Sequence, residues 1–179
     1  GRPYMKFIKT LFNILSYIVY IVIAAYLLLV APILLGWKPV MVLSGSMEPT
    51  YHVGSVIYYK AADFDDIQVG DAITFHAGED SLVTHRVVKK NEIERTFETQ
   101  GDANDTKDSN PVPYDDMAGK ASKITIPYAG YFINYGKQIP VIVTMAGIII
   151  LSVVLDSLFP DKKKEGKKER AEKNEKKQE

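Results

Sequence analysis

Two long apolar runs divide the chain. Residues 11–35 hold no charged side chain, and only Asn13 and Ser16 among them are clearly polar. A second uncharged run of 17 residues lies near the C-terminus. Roughly 20 apolar helical residues cross a bilayer core, whereas the apolar part of a cleaved signal peptide has only about 7 to 15 residues. We therefore predict transmembrane helices over residues 11–36 and 139–159, with a buried core helix as the alternative for the first run.

The segment between the two runs has the residue pattern of strands. Its β-branched and aromatic residues cluster in five stretches that glycine and asparagine separate. These stretches are residues 55–60, 71–77, 82–90, 93–100 and 121–127. No run of about 10 to 12 residues there has the 3.6-residue apolar period of a helix. We predict a mainly β domain over residues 37–138, barrel-like or sheet-on-sheet, with one transmembrane helix on each side.

Charge predicts how the chain crosses the membrane. Lys and Arg beside membrane segments stay on the cytoplasmic side. They occur in residues 1–10 and in residues 160–179, which hold nine basic and six acidic residues. Residues 37–137 hold ten basic and fifteen acidic residues, a net charge of −5. We expect both termini in the cytoplasm, the β domain outside, and a disordered basic tail. Residues 1–4 precede Met5 and are interpreted as an expression remnant.

Composition narrows the possible chemistry. The chain has 179 residues, which allows one modest domain, and it contains no cysteine and three histidines. Without cysteine there is no disulfide, no thiol nucleophile and no cysteine-ligated zinc. Three histidines are too few for a His-rich metal cluster. We expect neither a metal nor a cofactor.

An unusual serine-rich stretch follows the first apolar run. Residues 42–50 read VLSGSMEPT, so Ser44 and Ser46 flank a glycine between an apolar lead-in and Pro49. This pattern predicts a strand that ends in a turn, and it suits a plain turn as well as a reactive site. A serine becomes a nucleophile only beside a base that accepts its proton.

The best candidate for that base is His85, in the sequence T-H-R-V-V. Strand alternation puts it on the face of Val83 and Val87, a position that is also typical of a packed, hydrogen-bonded histidine. His52 follows a turn and His76 ends a predicted strand, so both are expected to be exposed.

An acidic loop over residues 100–113 supplies the candidate carboxylates. Asp102, Asp105 and Asp108 lie there among Gly, Asn, Ser and Pro. A calcium loop would also need a glycine and a distal glutamate at fixed spacings, which are missing. The loop therefore fits a solvated segment or a carboxylate that orients a histidine.

Taken in order, S-G-S-M-E-P-T, T-H-R-V-V and G-D-A-N followed by D-S resemble the conserved boxes of type I signal peptidases. The stretch over residues 119–130 is similar to the strand that follows the aspartate box in that family. The resemblance covers about residues 40–130. It is to the branch with histidine in place of the catalytic lysine, found in the endoplasmic reticulum, archaea and some Gram-positive bacteria. It implies a signal-peptidase-like β fold.

The resemblance implies a role for each matching residue. Ser46 would be the nucleophile, and Ser44 would help to stabilise the oxyanion. His85 would be general base and then general acid. Asp108 matches the triad carboxylate and Asp102 a supporting one, but the sequence leaves open which of the two contacts His85.

Two lysines remain rival bases. Lys89 shares the face of His85 under strict alternation, about 13 Å further along the strand, and Lys90 follows it. The pKa of a lysine must fall by about 3 from its ordinary value before the amine can act as a base near neutral pH. The ordinary pKa of a histidine is already near 6.5.

The resemblance also implies the substrates. They would be exported precursors with signal peptides, cut at the outer membrane surface, with Val42 and Met47 as candidate substrate contacts. We expect the lipid bilayer as a partner and no nucleic acid, and the need for partner subunits stays open. The second span favours a plasma membrane over the endoplasmic reticulum. The alternatives are a non-catalytic membrane scaffold or assembly subunit and a self-cleaving Ser/Lys regulator.

Overall fold

The computed structural model describes residues 3–79 and 81–159, and the tail predicted to be disordered lies outside them. Its contacts divide the chain into two units. One consists of residues 3–25 with 137–159, and the other spans Tyr26–Gly136.

Three α-helices are present in the described residues: α1 (Pro3–Val30), α2 (Ala129–Gly136) and α3 (Ile139–Leu158). The 3₁₀ segment Ala31–Leu35 continues α1. Gly36 ends this segment with a φ of +84°, a value that glycine adopts readily. Both α1 with its extension and α3 are long and apolar enough to cross a membrane.

Polar side chains meet where α1 and α3 share a unit. Ser152 Oγ donates a hydrogen bond to Asn13 Oδ1 at 2.9 Å. One helical turn towards the chain ends, Lys9 Nζ lies 3.1 Å from an oxygen of Asp156. These contacts explain why polar residues can stand within otherwise apolar helices, because each is satisfied by the opposite helix.

Within the described part of the chain, the second unit is built around a single antiparallel sheet of seven strands. Its strands are β1 (Trp37–Met41), β2 (Val56–Lys60), β3 (Ala72–His76), β4 (Leu82–Asn91), β5 (Thr96–Gln100), β6 (Val112–Pro113) and β7 (Met117–Ile126). They lie in the order β1-β2-β7-β3-β4-β5-β6. The predicted fold class, a mainly β domain with an apolar helix on each side, is confirmed.

The elements that the sequence pattern missed are short or lie at an edge. Strand β1 contains Pro39, which a central strand would not tolerate but an edge strand does. Strand β6 is only two residues long. Helix α2 has eight residues, too few for a helical period to be recognised.

The main core of the sheet lies around two phenylalanines. Phe64 and Phe97 are 1% and 0% exposed, and their ring centroids are 5.0 Å apart. Ile73 from β3 and Val87 from β4 also belong to this cluster. The inward residues of β4 and β5 are therefore fixed by packing on one side of the sheet.

A β-bulge in β4 corrects one expectation. The pairing of β4 with β5 shifts between Val87 and Lys89, so strict alternation ends there. Lys89 does not share the face of His85: its side chain is 68% exposed and pairs with Glu98. Lys90 turns inward instead, with Nζ 4.3 Å from the centroid of the Phe64 ring.

Truncating the core should measure how much this packing contributes. We expect Phe97→Ala to lower the free energy of unfolding by about 3 to 5 kcal/mol, because it leaves a cavity beside Phe64. Thermal unfolding of the full chain in detergent, followed by circular dichroism, measures the loss. Ile93→Ala, at a side chain that is 95% exposed, is the control and should change stability by less than about 0.5 kcal/mol. Similar losses in the two variants would contradict this account.

Candidate active site

Ser46 lies in a 3₁₀ turn, Gly45–Met47, in the connection between β1 and β2. The next residue, Met47, is 2% exposed and packs with Tyr51 and Ile57. Tyr51 also donates its backbone N–H to the carbonyl oxygen of Met47 at 2.9 Å. The turn is thus anchored through Met47, while Ser46 itself stays partly exposed.

The acidic loop packs directly against this turn. Ala103 donates its backbone N–H to the carbonyl oxygen of Ser46 at 2.9 Å. A Cβ on Gly101 would lie 2.5 Å from the same oxygen, well inside contact distance. Glycine is therefore required at position 101 by a close backbone approach, and this approach brings the loop beside the serine.

His85 projects from the middle of β4 into the sheet interior. It pairs with Ile73 of β3 and is 8% exposed. The ring of Phe75 packs edge-on against the imidazole, with centroids 6.3 Å apart at 70°. The face predicted from alternation, shared with the buried Val87, is the one observed.

Three side chains from separate segments form one hydrogen-bonded series. Asp108 Oδ2 lies 2.6 Å from His85 Nδ1, and Ser46 Oγ lies 3.1 Å from His85 Nε2. An ionised carboxylate can only accept, so the imidazole Nδ1 carries the hydrogen and donates a hydrogen bond to Asp108 Oδ2. In the neutral ring, Nε2 is then an acceptor for the hydroxyl of Ser46.

Ser44 stands beside this series. Its Oγ lies 3.3 Å from Ser46 Oγ, and its side chain is exposed on the surface. Residue 44 has an extended backbone, with φ −131° and ψ 160°, directly before the 3₁₀ turn. Both hydroxyls are thus presented to the same space outside the turn.

Asp102 has a different partner from Asp108. Its two oxygens accept hydrogen bonds from Arg86 Nε at 2.6 Å and Arg86 Nη2 at 2.5 Å, and Thr50 Oγ1 donates to it at 2.5 Å. The hydrogen bonds from Arg86 lower the pKa of Asp102, and the same contact raises the pKa of Arg86. This ion pair ties β4, the acidic loop and the segment after Ser46 together.

The sequence alone missed Thr50, Arg86 and Thr99 as residues of the site. Thr99 lies at the end of β5, is fully buried, and donates its hydroxyl to Asp108 Oδ2 at 2.6 Å. Strand alternation could have indicated the position of Arg86. It follows His85 directly, so its side chain lies on the face of β4 opposite to the imidazole. Thr99 carried no signal, since threonine is an ordinary strand residue.

A cleft of about 300 Å³ opens beside Ser46. Its walls come from residues 40–44 on one side and residues 82–84 on the other. Val42 and Met47, the predicted substrate contacts, both line it, although Met47 contributes little surface because it is 2% exposed.

The remaining candidates lie away from the series. His52 is exposed and pairs with Glu48, and His76 and Asp105 are exposed. Among residues 3–79 and 81–159, no group of three or more His, Asp or Glu side chains is placed to hold a metal ion.

A serine hydroxyl, an imidazole and a carboxylate in series define a site of the serine-hydrolase type. Comparison with known proteins gives the family. The model of signal peptidase, peptidase S26, matches residues 14–102. That stretch contains Ser46, His85 and Asp102 and ends before Asp108.

Individual relatives agree with this match. Over 130 residues the chain is 35% identical to signal peptidase I W of Bacillus subtilis (strain 168), which covers 66% of this chain and 68% of the relative. It is 34% identical over 102 residues to signal peptidase complex catalytic subunit SEC11C of Homo sapiens, covering 51% of this chain and 53% of that one. The chain thus spans about two thirds of the first relative and about half of the second.

The chain belongs to the signal peptidase family, peptidase S26. This confirms the predicted resemblance and the predicted activity, a serine endopeptidase that removes signal peptides. The two apolar helices and the signal peptidase relatives together support association with a membrane.

The Asp102–Arg86 pair predicts a pH-dependent contribution to stability. Because the pKa of Asp102 is lowered on folding, the pair stabilises the fold above the unfolded carboxyl value of about 3.9, and this is lost as the pH falls through the lowered value. We expect Asp102→Asn to cost about 1 to 2 kcal/mol at pH 7, and progressively less below about pH 4.

The melting temperatures of the full chain in detergent from pH 7 to 2.5 test this. Asp105→Asn, at an exposed carboxylate of the same loop, is the matched control and should melt with the wild type. A deficit for Asp102→Asn that stays constant down to pH 2.5 would argue against the ion pair as its source.

Proposed function

We propose that this chain cleaves signal peptides from exported precursors with Ser46 as nucleophile, His85 as general base and Asp108 as the carboxylate that orients the imidazole. The observation that carries this proposal is the unbroken hydrogen-bond series from Ser46 Oγ through His85 to Asp108 Oδ2.

The proposed reaction has two halves. Ser46 Oγ attacks the scissile carbonyl carbon while its proton moves to His85 Nε2, and the imidazolium is stabilised by Asp108. His85 then gives this proton to the leaving amine, which becomes the N-terminus of the mature protein. In the second half, His85 takes a proton from water, the hydroxide attacks the acyl group, and Ser46 recovers its proton as the signal peptide departs.

Ser44 is proposed to stabilise the oxyanion together with the backbone N–H of Ser46. The 3.3 Å between the two serine oxygens supports this, because an oxygen developing charge at the carbonyl would lie close to both. A donor of this kind typically contributes about 2.7 to 4 kcal/mol to lowering the barrier.

The cleft beside Ser46 is proposed to bind the residues that precede the cut. Strand β5 pairs with β4 only from Arg86 onward, so the β5-side edge of residues 82–84 faces the cleft. Residues 42–44 form the opposite wall. An extended peptide between these walls could add main-chain hydrogen bonds as a further strand, with Val42 and Met47 contacting its small side chains.

We propose that α1 and α3 anchor the chain in a plasma membrane, with the β unit outside and both termini in the cytoplasm. The charge distribution supports this topology, since the basic residues lie in the terminal segments and the β unit is net acidic. Ser46 follows the 3₁₀ extension of α1 by only eleven residues, so cleavage would occur close to the bilayer surface.

Loss of the nucleophile should abolish cleavage. We expect Ser46→Ala to lower kcat by roughly 10⁴-fold or more, because no other group can form the acyl intermediate. Purified full-length protein in lipid is incubated with a signal-bearing precursor, and the new N-terminus is sequenced. Ser81→Ala, at an exposed hydroxyl before β4, serves as control and should cleave like the wild type. Equal product from Ser46→Ala and wild type would remove the proposal.

The base should be histidine and not lysine. We expect His85→Ala to abolish turnover and Lys89→Ala to stay within about twofold of wild type, because the Lys89 side chain is exposed and paired with Glu98. Greater loss in Lys89→Ala than in His85→Ala would favour a lysine mechanism.

A further inference from the structure

We infer that Thr99 is a positioning residue for the reaction, holding the Asp108 carboxylate in the orientation that His85 needs; this rests on the proposed roles of His85 and Asp108. Two contacts join Thr99 and Asp108. The Thr99 hydroxyl donates to Asp108 Oδ2 at 2.6 Å, and the Asp108 backbone N–H donates to the Thr99 carbonyl oxygen at 2.8 Å.

Asp108 needs an external support because of where it lies. It stands in the irregular loop between β5 and β6, and its neighbours at positions 103–107 are all exposed. A carboxylate in such a loop can rotate about its own side-chain bonds. Thr99, by contrast, belongs to β5, pairs with Val87 of β4 and is 0% exposed. The bonds from Thr99 therefore connect a loop residue to the rigid part of the sheet.

Both hydrogen bonds to the carboxylate use the same oxygen. Asp108 Oδ2 accepts from Thr99 Oγ1 and from His85 Nδ1, each at 2.6 Å. The threonine hydroxyl thus fixes the oxygen that accepts the hydrogen bond from the imidazole N–H. Removing it would leave Oδ2 held only by the histidine, which is the group it is meant to orient.

The hydroxyl has no evident packing reason to be there. The strand neighbour Phe97 lies in the apolar core, and valine has nearly the same shape as threonine and is also common in strands. A buried hydroxyl is retained at a cost unless it is hydrogen-bonded. Its bond to Asp108 accounts for threonine at this position.

This role predicts a specific kinetic defect. We expect Thr99→Val to lower kcat about 10-fold or more, because small misplacements of catalytic groups slow the chemical step. KM should change less than about twofold, since the cleft beside Ser46 is lined by other residues. Thr99→Ser keeps the hydroxyl and should recover kcat to within about threefold of wild type.

A purely structural role is separated from positioning by a double-mutant cycle. If Thr99 acts through Asp108, adding Thr99→Val to Asp108→Ala, which removes the accepting oxygen, should change the residual kcat by less than about twofold. Thr125→Val, at a β7 threonine whose buried hydroxyl has no hydrogen-bond partner, is the matched control and should keep wild-type kinetics. If Thr99→Val does not fold, Thr99→Ala replaces it with the same expectation.

The experiment measures kcat, KM and melting temperature of the full-length variants in lipid with one precursor. The inference is overturned if Thr99→Val turns over like the wild type, if Thr99→Ser loses as much as Thr99→Val, or if Thr99→Val costs the same factor in the Asp108→Ala background. A wild-type protein that leaves the precursor uncut would instead refute the proposed function, so the two failures are distinguishable.

Discussion

The imidazole of His85 must be held between two oxygens that come from distant parts of the chain, and the β unit is arranged around that requirement. Ser46 lies 39 residues before His85 and Asp108 lies 23 residues after it, yet both oxygens are within hydrogen-bond distance of the ring. A histidine that was free to rotate would lose one partner or the other. Its burial in β4 against Phe75 removes that freedom.

The two oxygens are supplied by loops, and each loop is fixed by contacts outside the series. The serine turn is anchored by Met47 in the core, and Gly101 lets the acidic loop approach the Ser46 carbonyl. Arg86, on the face of β4 opposite to His85, holds Asp102 of the same loop. One strand therefore carries the imidazole on one face and the loop anchor on the other, so that both are positioned together.

The two long apolar helices follow the same rule for their polar groups. Asn13 and Ser152 satisfy each other within apolar helices, as Lys9 and Asp156 do nearer the chain ends. At a water-exposed surface such pairs would contribute little, but in lipid an unsatisfied polar group is costly.

The sequence by itself determined the features that depend on local pattern. Apolar runs of sufficient length predicted both helices, alternation predicted five of the seven strands, and three short boxes identified the family. Edge strand β1, which contains Pro39, the two-residue β6 and the eight-residue α2 escaped because they are too short for periodicity to register. Alternation also failed at the bulge after Val87, since a bulge is set by the pairing of β4 with β5 and leaves no mark in β4 alone.

Only the tertiary structure decided which carboxylate meets His85. Asp102 and Asp108 are six residues apart in one loop, and nothing in their spacing separates them. The choice follows from contacts across the sheet: Arg86 engages Asp102 with two hydrogen bonds, while Thr99 holds Asp108 against the imidazole. Side-chain pairing of this kind depends on distances between strands, which a linear sequence does not contain.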